Sequence, residues 1–109
     1  MTPYIYTFIR RDLSPEQKIV QLGHACWEAG QIFEAPEKTA SLILLAAEDE
    51  ADLQNIARKL DGRGIGYEMF YEPDYDTGYT AICTRVITDE RERAFFRKWD
   101  LYREEAKAL

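Results

Sequence analysis

Residues 4–17 read YIYTFIRRDLSPEQ, and the two halves of this stretch set the fold. Tyr4 to Arg10 is rich in aromatic and β-branched residues, so it reads as a strand apolar on both faces and therefore central. Ser14 then offers a helix N-cap, Pro15 suits the first helical position, and Gln17 completes a Ser-x-x-Gln capping box. The helix is expected to run to about Ala29 or Phe33, stopped by Gly30 or by Pro36.

Beyond this opening, Ala40 to Ala47 (ASLILLAA) is a short continuous apolar run and reads as a buried strand. A second helix should start near Asp49, with Leu53, Ile56, Ala57 and Leu60 on one face and Gly62 as a left-handed C-cap. Ile65 to Tyr71 is the third strand, and Glu72 to Gly78 carries the Pro, Asp and Gly chemistry of a turn. Tyr79 to Val86 is the fourth strand. Thr88, Asp89 and Glu90 open a third helix, with acids where the helix dipole favours them and Phe95, Phe96 and Trp99 on its apolar face. The tail from Asp100 to Leu109 fits either a further helical stretch or a loosely held end. No repeat or linker divides the chain, so residues 1–109 read as one domain. The order β-α-β-α-β-β-α implies a three-layer α/β/α sandwich. Right-handed crossovers make the first three strands parallel, and the short third loop makes strand four antiparallel.

The 109 residues are enough for one core without staples. Hydrophobic residues at 46% and charged residues at 31% describe an ordinary globular chain. No apolar run approaches the roughly 20 residues of a membrane helix. Arg10 and Arg11 follow the first apolar stretch instead of preceding it, unlike a signal peptide, so the expectation is a cytoplasmic protein. Cys26 and Cys83 are too few for a disulfide framework or a zinc site of the usual spacing and read as small buried hydrophobes. Fourteen basic against twenty acidic residues give a net charge of −6, which disfavours non-specific nucleic-acid binding but leaves room for a local basic patch.

The topology gathers the carboxyl ends of the parallel strands, the starts of the first two helices and the Glu72–Gly78 loop at one edge, where open α/β sheets bind ligands. That edge collects Arg10, Arg11, Asp12, Ser14, Gln17, Asp49, Asp74, Asp76 and Thr80. Arg10 and Arg11, beside a helix N-terminus, make a candidate phosphate or RNA-backbone contact, or simply an exposed strand-end pair. On the first helix, Gln17, Gln21, His24, Glu28 and Gln31 recur at steps of four and three and share a face. Ile19, Cys26, Phe33, Gly23 and Gly30 lie opposite. This stripe is either the wet side of an amphipathic helix or the lining of a site, with His24 as base or donor and Glu28 fixing its tautomer. Asp74, Asp76 and Gly78 lack the remaining ligands of a calcium loop, so no metal is expected. There is no Gly-rich phosphate loop and no Gly-x-Ser-x-Gly elbow.

The string Arg11-Asp12-Leu13, a capped helix start, Gln21-Leu22-Gly23-His24-Ala25 and then Glu28-Ala29 resembles the first signature of type II peptidyl-tRNA hydrolases. The element order over nearly the whole chain is similar too, as is the Thr-bearing fourth strand, Thr80-Ala81-Ile82. The resemblance implies a four-stranded mixed sheet of order 2-1-4-3 and hydrolysis of the ester between a peptide and its tRNA, without a cofactor. The implied partner is tRNA or peptidyl-tRNA, with no membrane, and a homodimer is compatible. The family's catalytic lysine position falls on Gln17, with Lys18 adjacent, in a helix-start loop about two residues shorter. Its loop acid matches Asp74, with Asp76 or Glu72 as alternatives in a shortened loop, and its strand threonine matches Thr80. The implied catalytic set is therefore Asp74, Thr80 and Lys18, with Arg10, Arg11, Gln17, Gln21 and His24 binding substrate. Two other readings stand beside ester hydrolysis: a non-catalytic RNA binder and a protein-interaction module. A basic cleft around Arg10, Arg11 and Lys18 favours RNA, and a wholly acidic face favours the interaction module.

Overall fold

The computed structural model of the chain describes residues 2–104. Strand β1 spans Tyr4–Arg10, helix α1 Pro15–Ile32, β2 Ser41–Ala47, α2 Glu50–Gly62, β3 Tyr67–Glu72, β4 Gly78–Thr84 and α3 Glu90–Phe95. The sheet order is β2-β1-β4-β3. β1 and β2 pair in parallel, whereas β4 is antiparallel to both β1 and β3, so β3 runs with β1. This is the expected mixed sheet.

The sequence of β1 serves both layers at once. Tyr6 and Phe8 face a core built with α2 and α3 that includes Leu53, Ile56, Leu60, Ile82, Phe95 and Phe96. Ile9, on the opposite face, packs with Leu13, Ala25, Ala29, Ala81 and Cys83 under α1. Alternate side chains of a strand point to opposite faces, which is why a strand covered on both sides is apolar throughout. Phe96 ties α3 to this sheet: its ring stacks on Tyr6 at 3.9 Å and lies 6.3 Å from Phe8.

The start of α1 forms as its residues dictate. The Ser14 hydroxyl accepts from the Gln17 amide, and the Gln17 side chain accepts from the Ser14 amide. The helix passes Gly30 and ends at Ile32, with Phe33 as C-cap. Asp49 caps α2 by accepting from the Asp52 amide.

Several expected boundaries shift for local reasons. Gly62 is the last residue of α2 and does not make the left-handed cap; Gly64 does, at φ +67°. The Gly64 and Ile65 amides satisfy Asp61 and Leu60 carbonyls, which consumes Ile65 in the cap and delays β3 to Tyr67. β4 accordingly spans Gly78–Thr84 instead of starting at Tyr79 and reaching Val86, because its pairing with β3 ends at Tyr67↔Thr84. The apolar run of β2 does not mark a strand buried on all sides. β2 is an edge strand whose Leu42 is exposed. Its free side is partly covered by the tail, where Leu101 bridges Leu45 and the Tyr102 amide donates to Leu44 O. The tail is thus neither helical nor loose through Glu104; residues 105–109 of that expectation lie outside the described residues.

Truncating Phe96 to alanine removes the ring that joins two layers. Loss of a buried phenylalanine costs about 3–5 kcal/mol. Urea unfolding of Phe96→Ala is expected to show a midpoint lowered accordingly; a shift equivalent to less than about 1 kcal/mol is incompatible with this packing.

Candidate functional site

At the carboxyl edge of the sheet, β4 departs from regular pairing. Phe70 pairs with Ala81 but Tyr71 with Tyr79, so Thr80 is the extra residue of a bulge. A bulge re-aims a side chain. Thr80 is thereby turned toward α1, where its hydroxyl, fully buried, donates to the Gln21 Oε1 at 3.0 Å, with Phe70 O at 3.3 Å. Gln21 is also buried, and its Nε2 donates to Glu72 Oε2 at 3.0 Å. The other carboxylate oxygen of Glu72 accepts the Asp74 amide at 3.1 Å. A hydrogen-bonded chain, Thr80–Gln21–Glu72, therefore runs from the sheet interior to the surface. The Gln21 amide, followed by the Asp74 amide, holds the Glu72 carboxyl below its usual range, and the nearby His24 helps to a smaller extent. His24 lies flat on Phe70, ring centroids 4.4 Å apart at 4°.

The polar stripe on α1 is thus split: Gln21 turns to the sheet, whereas His24 and Gln31 remain exposed. Gln21 lies on the sheet-facing line with Ala25 and Ala29, while Ile19 and Trp27 are 75% and 71% exposed. The four-residue spacing of Gln21, Ala25 and Ala29 is the signal for that seam: two small residues allow close approach, and the glutamine at the same phase meets the bulge. His24 shares the exposed side of α1, and no hydrogen bond joins it to Glu28 among the described residues.

The basic residues that a cleft favouring RNA would need are engaged within the chain. Arg10 is nearly buried, its Nε and Nη2 gripping Asp12 at 2.9 and 2.8 Å and its Nη1 donating to Thr77 O and Tyr79 O. The Asp12 hydrogen bond raises the Arg10 pKa, and the same bond lowers that of Asp12. Arg11 pairs with Glu48 and donates to Arg103 O. Lys18 donates to the Tyr102 hydroxyl at 2.7 Å and lies 3.7 Å from Glu104, and the hydroxyl bond raises its pKa. Arg11, Lys18, Tyr102, Arg103 and Glu104 surround a hollow of about 230 Å³ under the tail.

The sequence-predicted residues thus fall into separate groups. Thr80 and Gln21 meet at the chain that ends on Glu72, with His24 beside it, and Asp74 joins them through its backbone amide while its side chain is exposed. Lys18 and Arg11 meet each other across Tyr102, and Gln17 is spent on the helix cap. Glu72 enters as the carboxylate closest to the buried chain. Glu50, which sequence reasoning passed over, accepts the Tyr79 amide at 2.7 Å. Its carboxylate would meet any side chain placed at Gly78, where φ is +79°. Among the described residues, no group of three or more His, Cys, Asp or Glu is placed to hold a metal ion.

No family model matches the chain, and no curated protein matches it. It is similar in fold to the solved structure of a protein of unknown function from Agrobacterium tumefaciens strain C58, with a TM-score of 0.65 at 14% identity, covering 94% of this chain and 99% of that one. The likeness is one of fold. The class defined is a four-stranded mixed α/β sandwich, and no helix among its described residues is long and apolar enough to cross a membrane.

Thr80→Val keeps the shape of the side chain and removes its donor, leaving the buried Gln21 carbonyl without it. An orphaned buried acceptor costs about 1–3 kcal/mol. Because the Glu72 pKa is lowered on folding, its stabilising contribution is present above the unfolded value and is lost as pH falls through the folded one. Carboxyl NMR titration of Thr80→Val is expected to move the Glu72 midpoint up toward that of an ordinary glutamate, beside a loss of stability. An unchanged midpoint and unchanged stability contradict the chain of hydrogen bonds.

Proposed function

We propose that this edge hydrolyses the ester of peptidyl-tRNA, with Glu72 as the carboxylate of the site. The observation that carries the reading is the buried Thr80–Gln21–Glu72 chain, which positions an ionised carboxylate beside an exposed histidine. Packing needs no buried glutamine, and a fixed, hydrogen-bonded carboxylate is what orientation of a water demands. Glu72 orients the water and stabilises the imidazolium formed when His24 takes its proton; as the ester C–O bond breaks, His24 returns that proton to the departing ribose oxygen. Asp74 and Lys18 are the other candidates, Asp74 as an alternative carboxylate and Lys18 as a charge stabiliser once parted from Tyr102 and Glu104. Arg10, Arg11 and Gln17 serve as framework for the substrate edge. No cofactor is required. The cytoplasm is where such a substrate would be met, and the exposed Ile19, Val20 and Trp27 of α1 are the face a homodimer would use.

A second reading is favoured by a different observation. Arg10, Arg11 and Lys18 each lie against a carboxylate of this chain, and the net charge is −6. A polyanion gains little from cations already neutralised. A non-catalytic module binding a protein partner fits that balance better than an RNA binder does.

Single-turnover cleavage of a peptidyl-tRNA decides between them. The hydrolase reading expects release of free tRNA by the wild type and a rate about a hundredfold lower for Glu72→Gln, with Asp74→Asn near wild type. The reverse order of the two variants transfers the role to Asp74. No wild-type cleavage, together with no salt-dependent tRNA binding, removes the hydrolase and RNA readings and leaves the interaction module.

A further inference from the structure

At the other end of α1, well away from Glu72 in sequence and lining, a half-open cavity of about 160 Å³ is lined mainly by Ile5, Phe33, Leu42 and Val86, with Glu34 and Thr84 at its wall. Both cysteines of the chain open onto it. Cys26 comes from α1 and is half-buried, whereas Cys83 comes from β4 and is buried. Residues 57 positions apart (83 − 26) are thus brought to one wall by the docking of α1 on the sheet. The Cys83 thiol donates to the Thr84 carbonyl at 3.8 Å. The neighbouring Cys83 thiol lowers the Cys26 pKa, and Cys26 together with burial raises that of Cys83. The arrangement gives one half-buried sulfur with a lowered pKa and one buried, protonated sulfur on the same cavity wall. An attacking thiolate beside a resolving thiol is the chemistry of reversible thiol oxidation.

We propose that Cys26 and Cys83 form a redox site, in which a small apolar hydroperoxide entering this cavity converts the dithiol to an intramolecular disulfide. The Cys26 thiolate attacks the terminal oxygen of ROOH; the O–O bond breaks, and the alkoxide leaves and takes up a proton as ROH. Cys26 is then a sulfenic acid. The Cys83 sulfur attacks the Cys26 sulfur, the S–O bond breaks, and hydroxide leaves with the thiol proton as water. In sum, ROOH and two thiols give ROH, water and one disulfide: the peroxide is reduced by two electrons and the dithiol is oxidised by two. The cavity has the size and lining for an alkyl peroxide, since an apolar cavity of about 150 Å³ admits a molecule as large as benzene. A bond between the sulfurs would join α1 to β4 and close the wall between them.

The probe is tert-butyl hydroperoxide on the intact chain, read by alkylation of remaining thiols and intact mass, with dimedone as a sulfenic-acid trap. The wild type is expected to lose both alkylatable thiols together, as a monomer, and to regain both with dithiothreitol. Cys83→Ala should stop at a Cys26 sulfenic acid that dimedone captures. Cys26→Ala should react at least about tenfold more slowly, since the remaining thiol is buried and protonated. Circular dichroism of both variants verifies that the fold is intact, and alanine is a small change at either position. Several results overturn the proposal: independent loss of one thiol in the wild type, a disulfide between two chains, or a wild-type rate no greater than that of Cys26→Ala.

Discussion

A guanidinium at the end of the central strand organises the functional edge. Arg10 closes β1, and its planar fork reaches three residues in two segments: Asp12 in the turn to α1, and the carbonyls of Thr77 and Tyr79 at the entry to β4. Taking a guanidinium out of water is costly unless its donors are matched, and here the carboxylate and two carbonyls match them. A lysine has no such fork and would leave one segment unheld. By fixing Tyr79, Arg10 fixes the residue next to the bulge, and the bulge turns Thr80 to Gln21. The Glu72 carboxylate is thus positioned by a contact made on the opposite face of the sheet.

The same constraint shapes what the edge can bind. An arginine that holds its own framework is not free to grip a phosphate. Arg11 and Lys18 follow the same economy, engaged by Glu48 and by the tail through Tyr102 and Glu104. Those outer pairs are partly solvated and worth little individually, so a ligand could compete for them. The Arg10 cluster, with two backbone carbonyls as well as a carboxylate, is the part a ligand would not displace without disturbing β4. The hydrolysis proposed for this edge would therefore rest on Glu72 and its buried supports more than on positive charge.

Local signals in the sequence were enough for the framework. Ser14, Pro15 and Gln17 define the start of α1, Asp49 that of α2 and Asp89 that of α3, since each cap is a bond between near neighbours. The largely apolar β1 pointed to a strand covered on both faces, right-handed crossovers gave the parallel strands, and the strand order 2-1-4-3 was what the family resemblance implied. What the sequence could not display were bonds across long separations. The bulge at Thr80 depends on how β3 and β4 register, and the inward turn of Gln21 depends on that bulge. Nothing adjacent to Cys26 points to Cys83. Arg10 looked like a phosphate contact because Asp12, two residues on, is indistinguishable in sequence from a solvated turn residue. The tail beside β2 was equally hidden, since Leu101 and Tyr102 carry no turn or cap chemistry.

The account stands on Arg10 acting as a structural clamp, and a double-mutant cycle of unfolding free energies with Arg10→Met and Asp12→Asn measures this directly. A charge-assisted hydrogen-bonded pair that is only partly exposed should show a coupling of about 1–2 kcal/mol, with Arg10→Met the more damaging single change because it also abandons Thr77 O and Tyr79 O. Additivity within about 0.5 kcal/mol, with Arg10→Met as stable as the wild type, would mean that the guanidinium holds nothing together and is available to a ligand after all.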